Sequence, residues 1–212
     1  MGGIVETIIG WALGLVSRFG YGGIFFTMML ESMGVPIPSE IIVPFGGFLA
    51  SRGDVEFWIV VAGVTLANLA GSLIFYTIGF WGGRPAVEKY GKYVLIHKDE
   101  IEKTDAWFRQ HGAIVAFFSR LLPGVRTFSS IILGAGKLNL KKFFWFTLAG
   151  SFLWNLPLAY IGLKAGDNWN LLRPYFHRFE NIVAALIILG VVFFVFKHVH
   201  RARRFNRHPD SN

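Results

Sequence analysis

The chain is 212 residues long, 53% apolar and only 16% charged, with a formal net charge of +8. Soluble domains of this size carry about a quarter charged residues, so the composition excludes an ordinary soluble fold and points to one compact membrane domain. Lys and Arg gather in loops and the tail rather than on one face, which excludes nucleic acid as an expected partner, and the absence of cysteine excludes disulfides and thiol catalysis.

Met1–Thr7 carries no basic residue, so a cleaved signal peptide is not expected. Glu6 stands where N-myristoylation requires Ser or Thr. Ile4–Phe19 spaces its apolar residues helically but is too short to span, and reads as an interfacial helix. Tyr21–Ala50 is an apolar run interrupted by Glu31-Ser32-Met33-Gly34-Val35-Pro36-Ile37-Pro38-Ser39-Glu40. After the polar turn Ser51–Asp54, Phe57–Gly83 has no charge and is long enough to cross a bilayer. Residues 84–111 mix Lys, Arg, Asp and Glu with Ile101, Trp107 and Phe108 at helical intervals, the pattern of an amphipathic surface helix.

A second interrupted run, Ala113–Gly136, contains Ser119-Arg120-Leu121-Leu122-Pro123-Gly124-Val125-Arg126-Thr127. Two further charge-free segments follow, Phe143–Leu163 and Asn181–Phe196, and then a basic tail with Arg201, Arg203, Arg204 and Arg207. Cytoplasmic placement of both the 84–111 linker and the tail follows from the bias of basic residues toward that side. It requires residues 113–136 to enter and leave on the inner side, and the first interrupted run to dip in from outside. Half one then covers about residues 20–83, the linker 84–111, half two 112–198 and the cytoplasmic tail 199–212.

A weak internal repeat supports this division. Ala70-Gly71-Ser72 recurs as Ala149-Gly150-Ser151, each after a break ordered charge, proline, charge and glycines. Aligned that way, Glu31 matches Arg120 and Glu40 matches Arg126. The expected fold is therefore an all-α polytopic membrane protein. It combines an inverted repeat of two oppositely oriented re-entrant helical hairpins with spanning helices and interfacial amphipathic helices.

The breaks carry the candidate chemistry. A charge at the bilayer centre costs about 2.5–3.5 kcal/mol on insertion scales, so four imply on the order of 10 kcal/mol unless paired, watered or bound. Pro36, Pro38, Pro123 and Gly124 free backbone groups that lipid cannot satisfy, so the broken segments must line a protein-enclosed cavity. Arg120 and Arg126 offer bidentate forks suited to a phosphate, with pairing to Glu31 and Glu40 as the alternative role. Glu31 follows an apolar run, where desolvation favours the neutral acid and suits a proton carrier; Glu40 sits where a helix begins after Pro38.

Enzymatic readings find less support. Arg126 stands where one lipid-phosphatase motif places its histidine nucleophile. The six histidines show no His-Glu-x-x-His spacing, so no metal or other cofactor is expected.

Glu31 with Pro36-Ile37-Pro38-Ser39-Glu40, and Phe118-Ser119-Arg120-Leu121-Leu122-Pro123-Gly124-Val125-Arg126 leading to Gly134-Ala135-Gly136, resemble the signature of the DedA membrane family, which shares its domain with VTT lipid scramblases. The resemblance covers about residues 10–200. It implies paired re-entrant hairpins in a bacterial inner membrane and a non-enzymatic lipid transporter. The substrate that the resemblance implies is undecaprenyl phosphate or, alternatively, phosphatidylethanolamine. It also implies that Glu31, Glu40, Arg120 and Arg126 are the essential acids and bases. Pro-Ser-Glu at 38–40 departs from the Pro-Gly-Asp of some relatives. Partners implied are membrane lipids, an anionic phosphate head group and protons; the oligomeric state is not implied.

Overall fold

The computed structural model describes residues 2–83, 111–122 and 125–166, all within one compact unit, Met1–Leu172. The expected amphipathic linker up to residue 110, the Pro123–Gly124 break, the Asn181–Phe196 segment and the basic tail lie outside the described residues. So does the second unit, Arg173–Asn212.

Among the described residues the regular structure is entirely helical. Helix α1 spans Gly2–Phe19 and α2 Tyr21–Ser32, with Gly20 turning between them at φ 51°. The first break follows. Gly34 adopts φ 87°, and Pro36 and Pro38 disfavour helical backbone at the residues before them. Helix α3, Ser39–Ser51, starts directly after Pro38 and places Glu40 in its first turn. Helix α4, Phe57–Ile78, continues into a π-helical turn at Gly79–Gly83. Residues 111–118 form α5, which tightens into a 3₁₀ turn at Ser119–Leu121 before the second break. Helix α6 is Val125–Ala135. Helix α7 is Leu140–Ala165, where the Asn139 side chain caps the first turn by accepting from the Lys141 and Lys142 amides at 3.0 and 3.3 Å.

Two of these helices, α4 with its π turn and α7, are long and apolar enough to cross a membrane. Their outward faces carry Trp58, Leu66 and Ile78, and Trp145 and Leu153, while α6 exposes Phe128 and Ile132. The interior is unusually polar, with Glu31, Glu40, Asn68, Ser72, Arg120, Arg126, Ser130 and Asn155 all buried. Apolar surface outside and polar groups inside suit hydrocarbon as the solvent. The main apolar cluster joins Ala12 and Val16 of α1 to Ile24, Met28, Val43, Val61 and Val64, so one face of α1 packs on the bundle.

The breaks turn the chain back on itself. The Glu56 amide donates to the Tyr21 hydroxyl, joining the start of α2 to the residue before α4, and Gly112 of α5 abuts Leu138 after α6. The first break therefore lies at the closed end of a helical hairpin, and α5 and the end of α6 approach each other in the second half.

The two hairpins pack alike, each against the long helix of the other half. A Cβ added at Gly47 of α3 would collide with the Ala159 carbonyl of α7, and one at Gly162 with the Pro44 carbonyl. In the second half, a Cβ at Gly134 of α6 would strike the Tyr76 carbonyl of α4, and one at Gly79 the Ile131 carbonyl. Pro44/Gly47 thus corresponds to Ile131/Gly134, and Ala159/Gly162 to Tyr76/Gly79. The helices before the breaks match as well. Gly71 admits Met29 and Ser32 of α2, and Gly150 admits Phe117 of α5 and Arg120 of the 3₁₀ turn that follows it. In α7 the two glycines are one helical turn further apart than in α4.

This packing corrects the sequence alignment by one residue. The partner of Arg120 is Ser32 and that of Arg126 is Ser39, while Glu31 and Glu40 correspond to Ser119 and Thr127. Charge order along the chain concealed the shift, because each break presents two hydroxyl–charge pairs in mirrored order.

Candidate functional site

The end of α2, the start of α3 and the start of α6 converge on one guanidinium. Arg126 is 4% exposed and sits in the first turn of α6. Its Nε donates to Glu31 Oε1 at 2.9 Å, and its Nη2 donates to the same oxygen and, at 2.6 Å, to Ser39 Oγ. One side chain thereby ties both arms of the first hairpin to the second. The break makes this possible, since an uninterrupted helix would carry Glu31 and Ser39 past the arginine.

Arg120 is anchored differently. Its Nη1 donates to Ser72 Oγ at 2.9 Å and to the Arg126 carbonyl at 3.0 Å, and its Nη2 donates to Ser130 Oγ at 2.8 Å. The guanidinium lies 5.7 Å from the centre of the Phe143 ring, within cation–π range. Its buried Nε has no hydrogen-bond partner among the described residues. Ser129 completes the turn, donating to Ser119 Oγ at 3.0 Å and to the Arg126 carbonyl at 2.8 Å.

Glu31 is thus the partner of Arg126, and Arg120 meets hydroxyls rather than a carboxylate. Glu40 is buried in the first turn of α3 with Oε1 unpartnered among the described residues. Asn155 is fully buried on α7; its Nδ2 donates to Thr65 Oγ1 at 3.4 Å, and its Oδ1 has no partner among the described residues. Pro36 and Pro38 lie in the first break. Among the described residues no group of three His, Cys, Asp or Glu could hold a metal ion.

Sequence reasoning singled out the four charges and missed the hydroxyls and amides that hold them. Ser72 was visible only as part of the Ala-Gly-Ser repeat. Asn68, which lies 3.3 Å from the donating Ser32 hydroxyl, and Asn155 were visible only as polar residues inside charge-free runs. Nothing in the periodicity marked Ser39 or Ser130.

Chemically, the arrangement offers two cationic forks and one bound carboxylate in a water-poor interior. A buried ion pair of this kind is expensive to break by removing one partner, at about 3–5 kcal/mol, but exchange for another oxyanion retains most of its hydrogen bonds.

The sequence pattern of the VTT domain matches residues 37–164, which include Glu40, Arg120, Arg126, α4 and all but the last residue of α7. The chain belongs to the VTT domain (DedA) family. Among the relatives of this VTT-domain protein, undecaprenyl phosphate transporter A of Bacillus subtilis (strain 168) is 32% identical over 200 residues, covering 93% of this chain and 96% of the relative. The uncharacterized membrane protein YkoX of the same strain is 35% identical over 190 residues, covering 88% and 84%. An alkaline phosphatase-like protein of Lactococcus lactis subsp. cremoris (strain MG1363) is 31% identical over 206 residues, covering 93% and 96%. No solved structure matches the chain. Membership makes the protein a multi-pass membrane protein, in keeping with its two long apolar helices.

Proposed function

We propose that the protein moves undecaprenyl phosphate between the leaflets of a bacterial inner membrane. The observation that carries this reading is the buried Arg126–Glu31 ion pair joining the two hairpins. A phosphate monoester presents the oxygens needed to replace the Glu31 carboxylate on the same fork, while the prenyl tail remains in lipid beside the apolar outer face. The full-length similarity to a protein named undecaprenyl phosphate transporter A supports the choice of lipid. The two hairpins act as re-entrant elements from opposite sides, with the basic tail in the cytoplasm. Proton binding at Glu31 weakens the ion pair and admits the head group.

Two other readings have an observation behind them. The unpartnered Glu40 carboxylate would suit the ammonium of phosphatidylethanolamine, whose head group needs an anion as well as a cation. The similarity to an alkaline phosphatase-like protein favours a hydrolase. Purified protein in vesicles, supplied with labelled undecaprenyl phosphate or phosphatidylethanolamine, separates all three. Selective movement of the prenyl phosphate without release of inorganic phosphate is the result expected here. Selective movement of phosphatidylethanolamine, or phosphate release, would replace this reading.

A further inference from the structure

We propose that the crossing of α3 and α7 binds a small monovalent cation, of the Na⁺ class, between Glu40 Oε1 and Asn155 Oδ1. The register of the crossing brings these groups together. Pro44 meets Gly162, Gly47 meets Ala159, and Ser51 lies near Gly166, so the two helices run side by side in the same direction. Glu40 is one turn before Pro44, and Asn155 one turn before Ala159. Both residues therefore lie on the N-terminal side of the same crossing, at helical spacing from the residues that meet there. Both are buried, and each presents an acceptor oxygen without a hydrogen-bond partner among the described residues. Two desolvated acceptors on the same side of one helix crossing are costly unless something positive lies near them.

The internal repeat supplies the second, independent argument. Counted from the glycines where α3 crosses α7 and α6 crosses α4, Asn155 corresponds to Ser72 and Glu40 to Thr127; counted from Gly71 and Gly150, Ser32 corresponds to Arg120 and Ser72 to Ser151, one helical turn before Asn155. In the second half the Ser72 hydroxyl accepts from the Arg120 guanidinium, so a cation lies at that crossing. At the same place in the first half the chain has Ser32, whose hydroxyl points to Glu31 and Asn68 at 3.4 and 3.3 Å. The first half thus keeps the acceptor, adds a carboxylate, and has a side chain too short to bring a positive charge. The space that takes a guanidinium in one half suits an ion in the other better than a bare proton.

The donor set selects the ion. Carboxylate and amide oxygens are hard ligands that favour alkali and alkaline-earth cations over softer metals. A single carboxylate balances one positive charge, since Glu31 is engaged by Arg126. The Thr65 hydroxyl donates to the Val61 carbonyl at 2.7 Å and accepts from Asn155 Nδ2 at 3.4 Å, while the amide oxygen has no partner among the described residues.

The test is a thermal-unfolding titration of the purified full chain in detergent, with NaCl exchanged for choline chloride at constant ionic strength and pH, alongside ²²Na⁺ binding. Saturable binding is expected, with Tm rising by roughly 3–6 °C at ten times the Kd. Asn155→Ala should abolish both signals. Ser32→Arg, which brings a guanidinium to the position equivalent to that of Arg120, should abolish Na⁺ binding while holding Tm in choline at or above the wild-type value. That variant keeps the test decisive if Glu40→Gln is not recovered folded. A Tm that follows pH but not Na⁺ would mean a proton satisfies the pair and would overturn the proposal, as would Na⁺ binding that survives Asn155→Ala.

Discussion

Replacing Arg126 with Lys keeps the positive charge and removes the fork. In the structure the guanidinium delivers hydrogen bonds from two nitrogens to Glu31 and from Nη2 to Ser39. A lysine ammonium is a single point donor on a different stem, and it retains one such contact while losing the paired geometry. Two interhelical hydrogen bonds in a membrane interior are worth about 0.6–1.7 kcal/mol each, so the loss is about 1–3 kcal/mol. If a phosphate uses the same fork, that energy is lost from the bound head group as well, and transport falls between ~5-fold and ~150-fold. The assay is the initial rate of labelled undecaprenyl phosphate movement in vesicles, at matched protein incorporation and subsaturating lipid. Because the charge is unchanged, a general positive field would survive the substitution. A rate within about twofold of wild type would refute bidentate gripping.

Further outcomes follow from the packing and the charges. Gly134→Ala places a methyl against the Tyr76 carbonyl and should cost about 1–3 kcal/mol or more in stability, read as a fall in Tm, whereas Gly63→Ala, with open space around it, should be neutral or stabilising. In this naturally cysteine-free chain, a cysteine replacing Gly53 should react only with external reagents and one replacing Lys137 only with cytoplasmic ones; external labelling at 137 would rule out a second hairpin that re-enters from inside. An inward proton gradient should accelerate lipid uptake in the wild type and leave Glu31→Gln unaffected, since only the wild type loses an ion pair on protonation. A wild-type rate indifferent to the gradient at fixed lipid concentrations would make Glu31 a structural partner of Arg126.

Much of this was legible in the sequence because hydrocarbon makes polar residues conspicuous. Glu31, Glu40, Arg120 and Arg126 stood out against apolar runs, and Pro36 and Pro38 marked the first break where the structure leaves helix. The charge-free runs at Phe57–Gly83 and Phe143–Leu163 proved to be long helices, the second extended by a turn's worth of residues including Lys141 and Lys142. What could not be read was partnership. The pairing of Arg126 with Glu31 joins residues 95 positions apart, and Arg120 reaches back to Ser72 across 48. Neither span has a local periodicity. The one-residue error in the repeat has a related cause: charges attract alignment, but the register is set by glycines at the helix crossings. Gly47, Gly79, Gly134 and Gly162 become diagnostic only when the backbones they admit are known.

In the proposed function the buried arginine site recognises the phosphate of a prenyl lipid. The most direct measurement compares undecaprenyl phosphate with undecaprenol, the same chain without its phosphate, in vesicles holding the purified protein. Protein-dependent movement of the phosphate lipid is expected, with its loss in Arg126→Lys and no acceleration of the alcohol in either case. Equal acceleration of both lipids, or movement of the phosphate lipid that is indifferent to Arg126, would contradict it.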